Sequence, residues 1–208
     1  MRLRNRKFRN KKETTESDDD EEEEVEEKDQ VPVIGSNIYF YLDVTNETIT
    51  MLITTLKKLD IKLRKQAIEL EGYKPKIKIF IRSGGGDVYA GFSAMDHINS
   101  MKTHVTTIAD GFCASAATFL LMAGKVRMAT PSAYILIHQI SSGSFWGKYE
   151  ELKDEMKMCD NLMEMLKNIY TTKTDLTEKK LNKLLKRDIT LTAEQCLKFN
   201  VIDQIACP

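Results

Sequence analysis

Apolar positions along this chain switch repeatedly between strand-like and helical spacing. The run "IYFYL" (Ile38 to Leu42) is short, aromatic and β-branched, which predicts a buried strand. Ile49, Leu52, Ile53, Leu56, Leu59 and Leu63 then recur at helical spacing behind Thr45 and Asn46, either of which caps a helix. "IKIFIR" (Ile77 to Arg82) predicts a second strand, almost continuously apolar as a strand covered on both faces is. "SGGGD" ends it, and Val88, Phe92, Met95 and Ile98 predict another helix. "HVTTIA" predicts a third strand. The stretch "DGFCASAATFLLMAG" (Asp110 to Gly124) is expected to turn into a third helix, with "VRMAT" and "AYILIHQ" as strands after it. Beyond "SSGSFWGK", Leu152, Met156, Cys159, Met163, Leu166 and Ile169 set out a long helix over Tyr149 to Tyr170. A helix over Leu176 to Leu185, a turn at "KRDITL", a short helix from Thr192 and the strand "VIDQI" complete the pattern. The alternation predicts an α/β fold of repeated β-α units around a largely parallel sheet.

Composition changes this picture mainly at one end. The 208 residues, 42% of them apolar, suit one domain with a sizeable core. The longest apolar runs, such as Phe119 to Ala123 and Ala133 to Ile137, fall far short of the roughly 20 residues that cross a bilayer, so no membrane span is expected. A formal charge of zero hides an uneven distribution. Residues 1–30 hold 8 basic and 12 acidic side chains, basic first and acidic after, which leaves 23 against 19 for the rest. Blocks of like charge bury no apolar surface, so residues 1–32 are expected to form a disordered charged tail and 33–208 the folded domain. No apolar core follows the basic stretch, and its acids argue against a transit peptide. The body has no strong basic excess, so nucleic acid is not an expected partner. Cys113, Cys159, Cys196 and Cys207 show no paired spacing and no His at ligand distance. They are expected to be free thiols in a reducing compartment, the cytoplasm or an organellar matrix or stroma, and no metal site is expected.

Candidate chemistry gathers where strands give way to helices. Helix N-termini converge on one edge of such a sheet, and their unpaired N–H groups favour developing negative charge. Ser115 stands at one such start, within a stretch of small residues, and Gly84, Gly85 and Gly86 stand at another. Ser115 would then be a nucleophile, with the N–H groups of Ala116 and Gly85 as oxyanion donors; the alternative is that small residues here only let backbones pack closely. "SGGGDVYAG" lacks the lysine and the glycine spacing of a phosphate cradle. Of the three histidines, His97 lies within a helix and His104 before a strand. His138 ends "AYILIH", where it can face the same edge as Ser115 and serve as general base. A carboxylate should orient that imidazole, but spacing alone does not choose among 31 acids. Cys113 is a rival nucleophile, although side chains two apart do not share a face.

These segments resemble the proteolytic subunit of the Clp protease, within the crotonase-like fold group, over about residues 38–205. "IRSGGGDVYAGFSAMDHI" is similar to that family's strand, glycine turn and helix, and "DGFCASAATFLLMAGKVRMATPSAYILIHQ" to its nucleophile helix and base strand. "KRDITLTAEQCLKFNVIDQI" is similar to its closing segment. The resemblance implies Ser115 as nucleophile, His138 as base, Asp188 as the orienting acid, and Gly85 and Ala116 as oxyanion amides. It implies that an extended peptide lies between Gly86, Asp87 and Val88 on one side and Ser141, Ser142 and Gly143 on the other. It further implies seven-membered rings stacked in pairs through a protruding handle helix, Tyr149 to Tyr170, polypeptide substrates, and an AAA+ unfoldase through which alone ATP would enter. No other cofactor is implied. Gly84 and Ile140 stand where the family has Pro, Ala117 where it has Gly, and Lys186 where many members have an acid. The family's N-terminal loop and first helix have no recognisable counterpart.

A serine endopeptidase is therefore the expected function. A noncatalytic ring subunit or scaffold would have no reason to keep Ser115, His138 and Asp188 together. Acyl-CoA chemistry on the same fold would show an acidic pair and no nucleophile. A particle-processing protease of a virus would be a variant of the first reading.

Overall fold

Strand β3 (Lys76–Ser83) occupies the middle of the sheet: Ile77, Ile79 and Ile81 are buried on one face, while on the other only Phe80 is buried and Lys76, Lys78 and Arg82 are exposed, so the strand is not covered on both faces as its apolar run suggests. It pairs in parallel with β2 (Asn37–Phe40) on one side and with β4 (His104–Ala114) on the other. The computed structural model that shows this describes residues 31–143 and 146–207. A short strand β1 (Val33–Ile34) folds back antiparallel on β2. Strands β5 (Val126–Ala129) and β8 (Gln204–Ile205) continue the parallel sheet beyond β4, giving the order β1-β2-β3-β4-β5-β8.

The eleven residues of β4 do two jobs. As far as Ala109 the strand pairs with β5; from Phe112 to Ala114 it pairs instead with β6 (Tyr134–Leu136), which carries β7 (Thr190–Thr192) antiparallel on its outer edge. Between the two halves Gly111 takes φ +83, and the register against β3 slips between Ile81 and Ser83. The bulge turns the far end of β4 out of the main sheet, so the residue after Ala114 stands at a rim.

Helices cover the sheet as the apolar spacing predicts. α1 (Asn46–Glu69) buries Ile49, Leu52, Leu56, Leu59 and Leu63, and begins in a capping box between Thr45 and Thr48. α2 (Val88–Asn99) begins at Asp87, whose carboxylate accepts the Ala90 N–H at 2.7 Å. α3 (Ala117–Met122) is buried throughout and lies against α2 at Gly91, where a Cβ would meet Phe119 at 2.9 Å and the Ala116 Cβ at 3.1 Å. Much of the small-residue run is thus a close-packing device. α5 (Glu178–Leu185) and α6 (Ala193–Lys198) close the fold, with Thr177 and Thr192 as caps.

α4 (Tyr149–Lys173) spans 25 residues, but only Leu166, Ile169 and Tyr170 are buried. Its last turns pack on the domain and its first turns carry exposed Leu152, Met156 and Met158. The end of α4 is fixed by Arg127 of β5, whose guanidinium reaches the Lys173 carbonyl and binds Asp203 at 2.8 Å. Asp203 also accepts the Arg127 N–H at 2.7 Å.

Several expectations need correction. Asp110 to Ala114 is strand rather than the approach to a helix, because both β3 and β6 offer it backbone partners. "AYILIHQ" pairs over three residues only, and the expected turn at "KRDITL" runs into β7. Residues 1–30 of the expected tail lie outside the described residues. Val31 is buried and the Pro32 carbonyl accepts the Tyr39 N–H at 2.9 Å, so the folded part includes residues 31 and 32 rather than starting at 33.

Candidate active site

Ser115 follows β4 directly, and its N–H donates to the Leu136 carbonyl of β6 at 2.9 Å. That bond and the start of α3 force the backbone to φ +55. A non-glycine residue held there costs about 1–3 kcal/mol, a strain typical of functional turns. The sharp strand-to-helix corner turns the Ser115 side chain away from the packed core and onto a cleft of about 220 Å³, also lined by Gly86, Ala116, His138 and Tyr170.

His138 reaches the same cleft from the next strand. β6 runs parallel to the end of β4, with Leu136 opposite Ala114, so residues just past both strand ends lie at one rim. Asp188 arrives by a second register. In the β6–β7 pair Leu136 faces Thr190, and extending that antiparallel register two residues past the end of the ladder sets His138 opposite Asp188. The His138 Nδ1 to Asp188 Oδ1 distance is 3.8 Å, and the Asp188 side chain is 77% exposed. This contact is longer than a hydrogen bond, between an exposed carboxylate and a half-buried imidazole. Ser115 and His138 line the same cleft, with no hydrogen bond between their side chains. In structures without substrate, catalytic hydrogen bonds are often long and tighten in the complex.

The glycine turn contributes differently from the expectation. Gly85 presses its backbone on Ser115, where a Cβ would come within 2.5 Å of the Ser115 Cβ. However, its N–H donates to Ser83 Oγ at 3.1 Å, and it does not line the cleft. Gly85 as an oxyanion donor is therefore corrected: that amide is already engaged. Val44 straps the neighbouring groups, donating to the Gly85 carbonyl and accepting from Asp87 N–H, both at 2.8 Å. In such a parallel bridge the N–H and C=O of the residue between them, Gly86, point the other way. Gly86 lies in the cleft with Ala116.

Of the remaining expected binding residues, Asp87, Val88 and Ser141 line this cleft. Ser142 lines an adjoining cleft with Met158, Cys159 and Met163, and Gly143 lines neither. Neither flanking segment forms a regular strand; Gly86 makes one isolated bridge. Asp87 is engaged as the α2 cap.

The rival groups separate cleanly. Cys113 is fully buried beside β6, and burial pushes its thiol well above the usual range, so it offers no thiolate. His104 begins β4, at the opposite end from Ser115, roughly 30 Å along the strand. Among the described residues no three His, Cys, Asp or Glu side chains converge on a metal position, and no helix is long and apolar enough to cross a membrane. Sequence reasoning missed Phe119, Leu166 and Tyr170 as cleft residues. Their signal was the helical spacing of buried positions, which marks them only as core. It also missed that the N–H of Ile140 donates to Met163 Sδ at 3.4 Å, a bond open to it because it is not Pro.

Residues 36–208 match the family model described as Clp protease. The chain is also 38% identical over 144 residues to the ATP-dependent Clp protease proteolytic subunit of Deinococcus radiodurans, a match covering 67% of this chain and 70% of that protein.

Proposed function

Because the chain belongs to the Clp protease family and is a serine peptidase, we propose that Ser115 is its nucleophile, with His138 as general base and Asp188 as orienting acid. Ser115 Oγ attacks the peptide carbonyl carbon as its proton passes to His138 Nε2. The N–H groups of Ala116 and Gly86 bind the oxygen as it becomes negative. Collapse of the intermediate breaks the C–N bond, and the leaving amine takes the proton from His138. Water, activated by the same imidazole, then hydrolyses the acyl-enzyme. The convergence of Ser115, His138, Gly86 and Ala116 on one cleft carries this reading.

Gly86 and the segment from Gln139 to Ser141 line the cleft, so an extended chain would be held largely through its backbone, with weak sequence preference. The substrates are then unfolded or extended polypeptides. The exposed apolar side chains along α4 support assembly into rings stacked in pairs, seven-membered as in the family resemblance, with an AAA+ unfoldase supplying substrate and the only use of ATP. The four free cysteines suit a reducing compartment such as the cytoplasm. No step needs a further cofactor.

Hydrolysis of a permanently unfolded polypeptide tests this. Ser115→Ala and His138→Ala should each lower kcat by on the order of 10⁴-fold or more. Retention of cleavage by either variant would refute the assignment.

A further inference from the structure

Ser115 presents its hydroxyl only while its backbone stays at φ +55, and its own carbonyl is where that conformation is gripped. The carbonyl oxygen accepts the Thr118 N–H at 2.9 Å and also the Thr118 hydroxyl. A carbonyl cannot donate, so the single hydroxyl proton of Thr118 is committed to it. The Thr118 oxygen must then accept from Tyr170, whose hydroxyl lies in hydrogen-bonding contact with it. The polarity of the chain is fixed from Tyr170 to Thr118 to Ser115. Both hydroxyls are fully buried, where an unpaired one would be costly. Burial also pushes the Tyr170 phenol upward in pKa, against the opposing Thr118 hydrogen bond, so it stays protonated and able to donate.

We infer that Tyr170, the last buried residue of α4, is a positioning residue for Ser115, acting through Thr118 to hold the left-handed turn that aims the serine hydroxyl. The inference rests on the reading of Ser115 as nucleophile. It assigns the end of the long helix a part in catalysis beyond packing. Tyr170 also forms cleft wall, but its hydroxyl faces Thr118.

Tyr170→Phe keeps the ring against Phe119, 6.4 Å between centroids, and removes only the hydroxyl. Thr118→Val removes both links at similar volume, and Thr118→Ser restores the hydroxyl. The full chain is assayed for kcat and KM on a short fluorogenic peptide and for its thermal midpoint. Tyr170→Phe and Thr118→Val should lower kcat about tenfold with KM within about twofold. Thr118→Ser should recover most of it, and the double variant should be no slower than Thr118→Val alone. Tyr170→Phe at parental kcat, even with a lowered thermal midpoint, overturns the inference, as does a double variant whose loss is the product of the two. Should Thr118→Val fail to fold, Tyr170→Phe decides alone. Labelling of the parent chain with a fluorophosphonate separates the two levels: an unlabelled Ser115 sinks the nucleophile assignment itself, whereas a labelled Ser115 with unaffected variants sinks only the relay.

Discussion

Gly86 is the tightest position at the rim. A Cβ there would stand 2.2 Å from the Val44 carbonyl oxygen, and its φ of +145 suits glycine alone. Gly86→Ala must therefore move the backbone whose N–H is proposed to bind the substrate oxygen. The expected result is a loss of kcat of about 10²-fold or more, with the far-ultraviolet circular dichroism unchanged. An unaltered kcat would take Gly86 out of the oxyanion hole. Cys113→Ala, by contrast, should keep kcat and cost only stability, since Cys113 is fully buried in β4 and does not line the cleft. That Ser115 and His138 share a cleft was legible for different reasons: His138 ends an apolar run, whereas Ser115 stood out as a polar residue at a helix start in a small-residue stretch. Which of two adjacent glycines has a free amide was not legible. That depends on Ser83 Oγ engaging Gly85 and on Val44 strapping the turn, and neither contact leaves a spacing signal.

Elements decide what single residues could not. Asp188 is one of 31 acids, and only the β6–β7 register carries it opposite His138. β7 is three residues long and was hidden in what reads as a turn, so before the ladder is seen only the family resemblance points to this acid. Because its carboxylate is exposed and 3.8 Å away, Asp188→Asn should lower kcat by about 10²-fold, less than the roughly 10⁴-fold of a closely hydrogen-bonded acid. A loss as large as that of Ser115→Ala would mean that the pair closes fully during turnover. The Arg127–Asp203 clasp between β5, β8 and α4 gives a pH prediction. Partial burial raises the Asp203 carboxyl, but the hydrogen bonds and charge of Arg127 outweigh it and hold it below the usual range. A depressed folded-state pKa stabilises above the unfolded carboxylate value, about 3.9, and that stability is lost as pH falls through the folded value. Asp203→Asn should therefore melt below the parent near neutral pH, with the gap closing below about pH 4. A gap constant across the titration would contradict this.

At the scale of the molecule, α4 is the exposed feature to explain. Its helical period was plain in the sequence, but whether its Met and Leu side chains face the domain or the outside was not, since both arrangements use the same spacing. The structure leaves Leu152, Met156 and Met165 at 38%, 57% and 51% exposure. Such a surface fits contact between copies. Native mass measurement should find a multiple of the 23.8 kDa chain, and Leu152→Glu with Met156→Glu should shift it to smaller species. A parent chain that stays monomeric at micromolar concentration would contradict assembly through α4. The α/β class was legible because β2, β3, β6 and the first half of β4 carry aromatic or β-branched runs, whereas β1 and β7 do not stand out. The bend in β4 was not legible, because Gly111 alone gives no sign that the strand changes partner from β5 to β6 there.

The central claim is that one strained serine at the end of β4 carries out peptide cleavage. Fluorophosphonate treatment of the parent chain, followed by intact mass and peptide mapping, tests it most directly. The account predicts a single adduct on Ser115, loss of activity in proportion to labelling, and no adduct on Ser115→Ala. An adduct mapped elsewhere, or an active chain that resists the reagent, would contradict it.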